Sequence, residues 1–204
     1  MSYSSFTLEE LKAKFGVEQE LVSKIFSDVK KKSPSSWLTS ILERTVPFAL
    51  MNNSEKARSE YIIAPVFFEL HQQSNKQLSV FSGIKFNVDR KKGLVGECDF
   101  LVSRSENQSF LEAPVVVAVE AKKQDFQQGF VQCIAEMIAA REFNEQRNQN
   151  TEIIFGCVTI GNGWQFLYLK GNNVFIDTTV FDITEDLDKI LGILWSMSFG
   201  EITF

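Results

Sequence analysis

The chain has 204 residues, 44% hydrophobic and 23% charged, which suffices for one sizeable core and speaks against a disordered segment. Its net charge of −5 weighs against non-specific phosphate neutralisation as the main source of any nucleic-acid affinity, although a local basic face is compatible with it. No apolar run reaches the ~20 residues of a membrane span. Met1-Ser-Tyr-Ser-Ser has neither the basic nor the apolar region of a signal peptide, so a cytoplasmic protein is expected. Cys98, Cys133 and Cys157 are odd in number and lack metal-site spacing, which reads as reduced core thiols.

The N-terminal portion reads as helical. Thr7-Leu-Glu-Glu10 has the form of a capping box, Leu8, Leu11 and Phe15 share one side, and Gly16 supplies the stop. Leu21, Val22, Ile25, Phe26 and Val29 recur at helical spacing and predict a second helix. Ser33-Pro34-Ser35-Ser36 breaks the chain before a third, which carries Trp37, Leu38, Ile41 and Leu42. Together these form an expected helical segment, 1–52, packed on a core of 53–204 within a single domain. A fourth helix is predicted from about 54 to 71. Ile62, Ile63, Val66 and Leu70 define its buried face, Glu55 and Ser59 project to that same side, Glu60 lies at the edge, and Pro65 marks a kink.

Strands dominate the middle. Leu78 and Val80, then Ile84, Phe86 and Val88, alternate as a half-buried strand with an irregularity near Gly83. Asp89-Arg90-Lys91-Lys92-Gly93 turns into a strand on which Val95, Glu97, Asp99 and Leu101 share a face. Past a polar loop, Val115 to Val119 are the most β-prone residues of the chain, and they lead into Glu120-Ala121-Lys122-Lys123 with Glu120 and Lys122 on one face. An apolar helix over about 126–143 follows, with Phe130, Ile134, Met137 and Ile138 in its main stripe and Gln132 beside Glu136 on its edge. Strands over 153–160, 164–168 and 174–181 are separated by Gly-Asn turns, and the alternating Trp164, Phe166 and Tyr168 read as sheet core. A last helix, capped by Asp182 or Thr184, turns Leu187, Ile190, Leu191 and Leu194 inward.

A buried strand that ends in a carboxylate and an amine calls for a chemical reason. Asp99, brought beside Glu120 from the neighbouring strand, would give two hard oxygen ligands of the kind Mg²⁺ prefers. Two such carboxylates repel until a cation neutralises them. Lys122 would then orient an attacking water or stabilise charge on a phosphate, which points to phosphodiester hydrolysis. Competing chemistries are thin: His71 is the one histidine available to an imidazole-dependent hydrolase, and no phosphate-binding loop or dinucleotide fingerprint is present. Lys30 to Lys32, Arg90 to Lys92, and Lys122 with Lys123 are the candidates for a basic face, though such runs are usually solvated surface.

Asp99 followed by Phe-Leu-Val, the valine run ending in Glu120-Ala-Lys122, and the helix containing Gly129-Phe-Val-Gln132 resemble the PD-(D/E)XK nuclease superfamily. Within it, residues 55–170 are similar to the nuclease domain at the start of type I restriction motor subunits. The resemblance implies an α/β fold with a restriction-endonuclease-like mixed central sheet flanked by helices, and a metal-dependent deoxyribonuclease activity. It implies Asp99, Glu120 and a helix glutamate as metal ligands, with Glu55 preferred over Glu60 and Glu69. Lys122 is the implied catalytic amine and Gln132 the supporting side chain; Mg²⁺, or Mn²⁺ in its place, is the implied cofactor. DNA is the implied partner, with RNA, a homodimer or a partner subunit left open. In that family a tyrosine often follows the helix glutamine by four positions, where this chain has Glu136. The alternative is an inactive nuclease-fold module that binds nucleic acid or a protein.

Overall fold

A computed structural model describes residues 2–52 and 54–202. Met1, part of the leader reading, and residue 53, where the core was expected to begin, lie outside the described residues, as do 203 and 204. The described residues form an α/β fold with a mixed eight-stranded sheet between two layers of helices. Its strands are β1 (Glu18–Val22), β2 (Ser79–Lys85), β3 (Glu97–Ser103), β4 (Val115–Ala121), β5 (Ile153–Thr159), β6 (Gly163–Lys170), β7 (Asn173–Asp177) and β8 (Phe181–Asp182). They run in the order β1-β7-β6-β5-β4-β3-β2, with β8 beside β6.

The helices are α1 (Leu8–Phe15), α2 (Ser36–Asn52), α3 (Glu55–Arg58), α4 (Ala64–Gln73), α5 (Phe126–Glu145) and α6 (Leu187–Phe199). β4 and β5 are parallel, and α5 is the crossover between them, as parallel neighbours require. All seven residues of β4 are buried, because both faces of the sheet are covered. That is why its sequence is continuous valine rather than an alternation. One core joins α1 and α5 to the sheet through Leu11, Ala118, Cys133, Ile138 and Val158. The other packs α2, α4 and α6 around Leu42, Phe67, Phe100, Trp164 and Leu194. The aromatic row Trp164, Phe166 and Tyr168 belongs to this second core, as its alternation predicts.

Local chemistry fixes several boundaries. At α1, Thr7 Oγ1 accepts from Glu10 N at 3.2 Å, Glu10 Oε2 accepts from Thr7 N at 2.8 Å, and Gly16 closes the helix at φ 65°. All three cysteines are buried and unpaired. Among the described residues no helix is long and apolar enough to cross a membrane.

Several elements differ from expectation: the strand expected over 174–181 is two, β7 and β8, and two further differences lie toward the ends of the chain. The predicted second helix is instead the edge strand β1, parallel to β7, followed by turns. Leu21, counted on its apolar stripe, is 66% exposed. Asp177 at the end of β7 accepts from Lys24 N at 3.0 Å and Phe26 N at 3.2 Å, so a partner distant in sequence captures the backbone that a helix would have used. At the other end, α6 begins at Leu187. Asp182 is spent on the preceding turn, where it accepts from Thr184 N at 2.8 Å, and Asp186 takes the N-cap position.

Candidate active site

β3 and β4 are antiparallel, with Phe100 opposite Val119 and Leu101 opposite Ala118. One further step of that register sets Asp99 across from Glu120, on the sheet face that α5 covers. The Asp99 carboxylate accepts from Ala121 N at 2.7 Å and so takes over where the backbone ladder stops. Lys122 is held by the strand on its other side, its N–H donating to Thr159 O at 2.8 Å. The strand pairing alone therefore brings Asp99, Glu120 and Lys122 to one end of the sheet.

The first half of α5 closes over them. Asp125 caps the helix through Gln127 N at 2.8 Å. Gly129 lets it come close, since a Cβ there would lie 2.4 Å from Val158 Cγ1 and 3.2 Å from Lys122 Cγ. Lys122 Nζ donates to Glu120 Oε1 and, at 3.2 Å, to Gln132 Oε1. Gln132 Nε2 donates to Glu120 Oε2 at 2.8 Å and to Glu136 Oε1 at 3.2 Å. Gln132 thus bonds both Lys122 and Glu120, and Glu136 is wired into the same network. The other oxygen of Glu136 is buried with no hydrogen-bond partner among the described residues.

The electrostatics of this network are unfavourable. Burial raises the Asp99 carboxyl, Glu55 and Glu97 push it further up, and the Ala121 N–H and Lys122 offset part of the rise. Burial and then Asp99 push Glu120 up to about 8, against the pull of Lys122. Glu136 is raised well above the usual carboxylate range, first by burial and then by Glu120. Burial pulls Lys122 down, but Glu120 beside it outweighs this and leaves the amine raised. One ammonium serves three mutually repelling carboxyls.

On the solvent side of Asp99 lies a cleft of about 250 Å³ lined by Glu55, Ser59, Glu60, Gly83, Glu97 and Asp99, among others. Gly83 holds φ +60° opposite Asp99 in the β2–β3 register, which is the expected irregularity. Of the three candidate helix carboxylates, Glu55 faces this cleft at the first turn of α3, capped by Ser54. Glu60 also reaches it but pairs with Lys56 at 3.1 Å. Glu69 is elsewhere: buried, it accepts from Ser35 N and Ser35 Oγ, both at 2.7 Å, and secures the start of α2.

Glu55 reaches the cleft by a different route from the one its periodicity implies. Ser59–Ile63 forms a π-turn between α3 and α4. The wider loop advances the helix phase, so that Ala57 and Arg58 are buried while Glu55 is exposed and Ser59 half-buried. Pro65 has no N–H to donate to Tyr61 O, and Thr45 Oγ1 donates to that carbonyl at 2.6 Å instead. Arg58 therefore lies under the helix, and among the described residues it enters no ion pair. The spacing Glu55-x-x-Arg58 singles this residue out in sequence, either with Glu55 in the nuclease resemblance or as its surface ion-pair partner, but its burial is legible only with the π-turn known.

Oxygen donors of this type suit a small hard cation, and the raised carboxyls and the orphan oxygen of Glu136 mark a site short of positive charge. Among the described residues no three His, Cys, Asp or Glu side chains form a ready-made metal cage. Mg²⁺ commonly uses one or two carboxylates and completes its shell with water and substrate phosphate, so the donor set fits it. The remaining basic candidates are engaged in part: Lys31 pairs with Asp188 at 3.2 Å, Lys32 lies over Trp195 at 3.6 Å, and Lys92 pairs with Glu142 at 2.8 Å. His71 bonds Leu78 O at 2.7 Å. No model of a known protein family matches this chain, and no curated protein matches it.

Proposed function

We propose that this chain is a metal-dependent nuclease of the PD-(D/E)XK kind that hydrolyses phosphodiester bonds in DNA. The observation that carries this reading is the meeting, at the end of β3 and β4, of Asp99 facing the Glu55 cleft with Glu120 and Lys122 joined behind it. Asp99 and Glu120 would hold Mg²⁺ or Mn²⁺, with Glu55 contributing directly or through water. The metal, when bound, supplies Lewis acidity toward the phosphate and lowers the pKa of a bound water. Lys122 orients the attacking water and places a positive charge beside the phosphate as charge develops on it. Gln132 keeps both Lys122 and Glu120 in place through its two hydrogen bonds. Three buried reduced thiols fit a cytoplasmic setting.

One observation favours a second reading. Glu120 and Lys122 are hydrogen-bonded to each other and to Gln132, a closed network that an inactive nuclease-fold module binding nucleic acid or protein would also tolerate. Cleavage separates the two. Plasmid, single-stranded DNA and RNA are incubated with native protein or Lys122→Ala in Mg²⁺ or Mn²⁺. The nuclease reading expects metal-dependent cleavage that falls roughly 10³-fold in the variant, the scale of losing one positioned electrostatic group. Equal cleavage by both proteins removes Lys122 from catalysis, and nucleic-acid binding without cleavage by either moves the assignment to the module.

A further inference from the structure

We propose that Arg58 is a positioning residue for the cleft, tying the Glu55 helix to the carboxyl-terminal ends of β4 and β5. This rests on the reading that Glu55 and Asp99 share a metal. Arg58 is 8% exposed, and one of its terminal nitrogens donates both to Lys123 O and, at 2.8 Å, to Ile160 O. These carbonyls lie just beyond the last bond between the two strands, from Lys122 N to Thr159 O. One guanidinium thus closes the gap where the central strands part and fixes it to the helix turn that carries Glu55, three residues earlier.

The surroundings are built for that side chain. Gly161 holds φ +88°, and a Cβ there would lie 3.1–3.3 Å from the Arg58 stem, so the β5–β6 turn passes directly against it. The π-turn supplies the phase that buries Arg58 while leaving Glu55 in the cleft. Its Nε–H is buried with no partner among the described residues. Burying a guanidinium with an unmet donor is costly, and an apolar side chain would fill the same volume without that cost. What an apolar residue cannot do is grip two carbonyls on two strands at once.

The test is a double-mutant cycle on Mg²⁺ affinity, measured by calorimetry on the full chain. The proteins are native, Arg58→Lys, Glu55→Gln, the double variant, and Asp99→Asn as a control. Lysine keeps the charge but cannot reproduce the geometry of the guanidinium. Arg58→Lys is expected to weaken Mg²⁺ binding about tenfold, the usual effect of residues that hold a ligand in place. The double variant is expected to be no weaker than Glu55→Gln alone, because Arg58 acts through Glu55. Losses that multiply in the double variant, or an unchanged affinity in Arg58→Lys, overturn the proposal. If Asp99→Asn also leaves affinity unchanged, or the native protein binds no Mg²⁺, the metal-site reading itself has failed and takes the proposal with it. Should Arg58→Lys not fold, Gly161→Ala displaces the Arg58 stem while keeping the guanidinium and completes the same cycle.

Discussion

The two ends of the pairing between β4 and α5 handle buried polar groups in opposite ways. At the Val115 end, Asn144 is fully buried and fully used. Its Oδ1 accepts from Val115 N at 2.8 Å, and its Nδ2 donates to Val115 O at 2.8 Å and Thr151 Oγ1 at 3.2 Å. At the Glu120 end, two helical turns back along α5, Glu136 is equally buried but keeps an oxygen without a partner among the described residues, and Glu120 is pushed up to about 8. The same strand and helix can satisfy a polar group completely, so the unmet demand at the other end is local. A structural end minimises cost; an end that keeps raised carboxyls together is what the proposed metal site would require.

The largest expected effect comes from breaking the satisfied end. Asn144→Ala leaves the N–H and C=O of Val115 buried and unpaired, at about 1–3 kcal/mol each. A loss of about 2–6 kcal/mol in urea unfolding is expected, with no change in Mg²⁺ affinity. A loss below about 1 kcal/mol would mean that water reaches this end of the strand and that the contrast between the ends is false.

Next in size is the response of the Glu120 end to metal and pH. In the folded chain Glu120 holds its proton up to about 8, against an ordinary value of 4.5. The folded state therefore binds the proton more tightly than the unfolded one. The stability this adds is complete below 4.5 and is lost as pH rises from there through about 8. Metal-free protein should accordingly melt at lower temperature across that window, and Glu120→Gln should flatten the trend. Saturating Mg²⁺ should restore the loss, by about 2.7 kcal/mol at a hundred times its dissociation constant. Because the metal displaces the proton, its affinity should rise by about tenfold per pH unit until about 8 and then level off. A melting temperature indifferent to Mg²⁺ at every pH would remove the carboxylates from metal binding.

How far each end could be read from sequence follows from the range of the interactions involved. The convergence of Asp99, Glu120 and Lys122 needs only strand periodicity, visible in the valine run, and pairing with the Asp99 strand, which sequence offered as a possibility and the antiparallel register supplies. The α1 capping box is equally local. β1 was missed because an edge strand and an amphipathic helix both accept Leu21 and Val22, and the carboxylate that decides between them, Asp177, lies on β7. The π-turn was missed because it changes the phase of a helix without changing its residue types, which hid the burial of Arg58 and misdirected Glu55 and Ser59 toward the core. Asn144 gave no signal, since a polar residue near the end of a predicted helix ordinarily faces water.

The smallest expected effect has the opposite sign from the first and tests the comparison most closely. Glu136→Gln keeps the shape of the side chain, removes a carboxyl held far from its ordinary pKa by burial and by Glu120, and supplies an N–H₂ beside acceptors. Stability should rise by about 1 kcal/mol, or roughly 2–4 °C for a chain of this size. The gain should grow as pH rises above the ordinary carboxylate range, because the native chain must then keep a proton on Glu136 that the unfolded chain has released. Two substitutions at buried polar side chains of α5 would thus move the melting temperature in opposite directions. If Glu136→Gln destabilises instead, Glu136 is a satisfied core acid whose partner is its own proton, and the unmet charge at this end belongs to Glu120 and Asp99 alone.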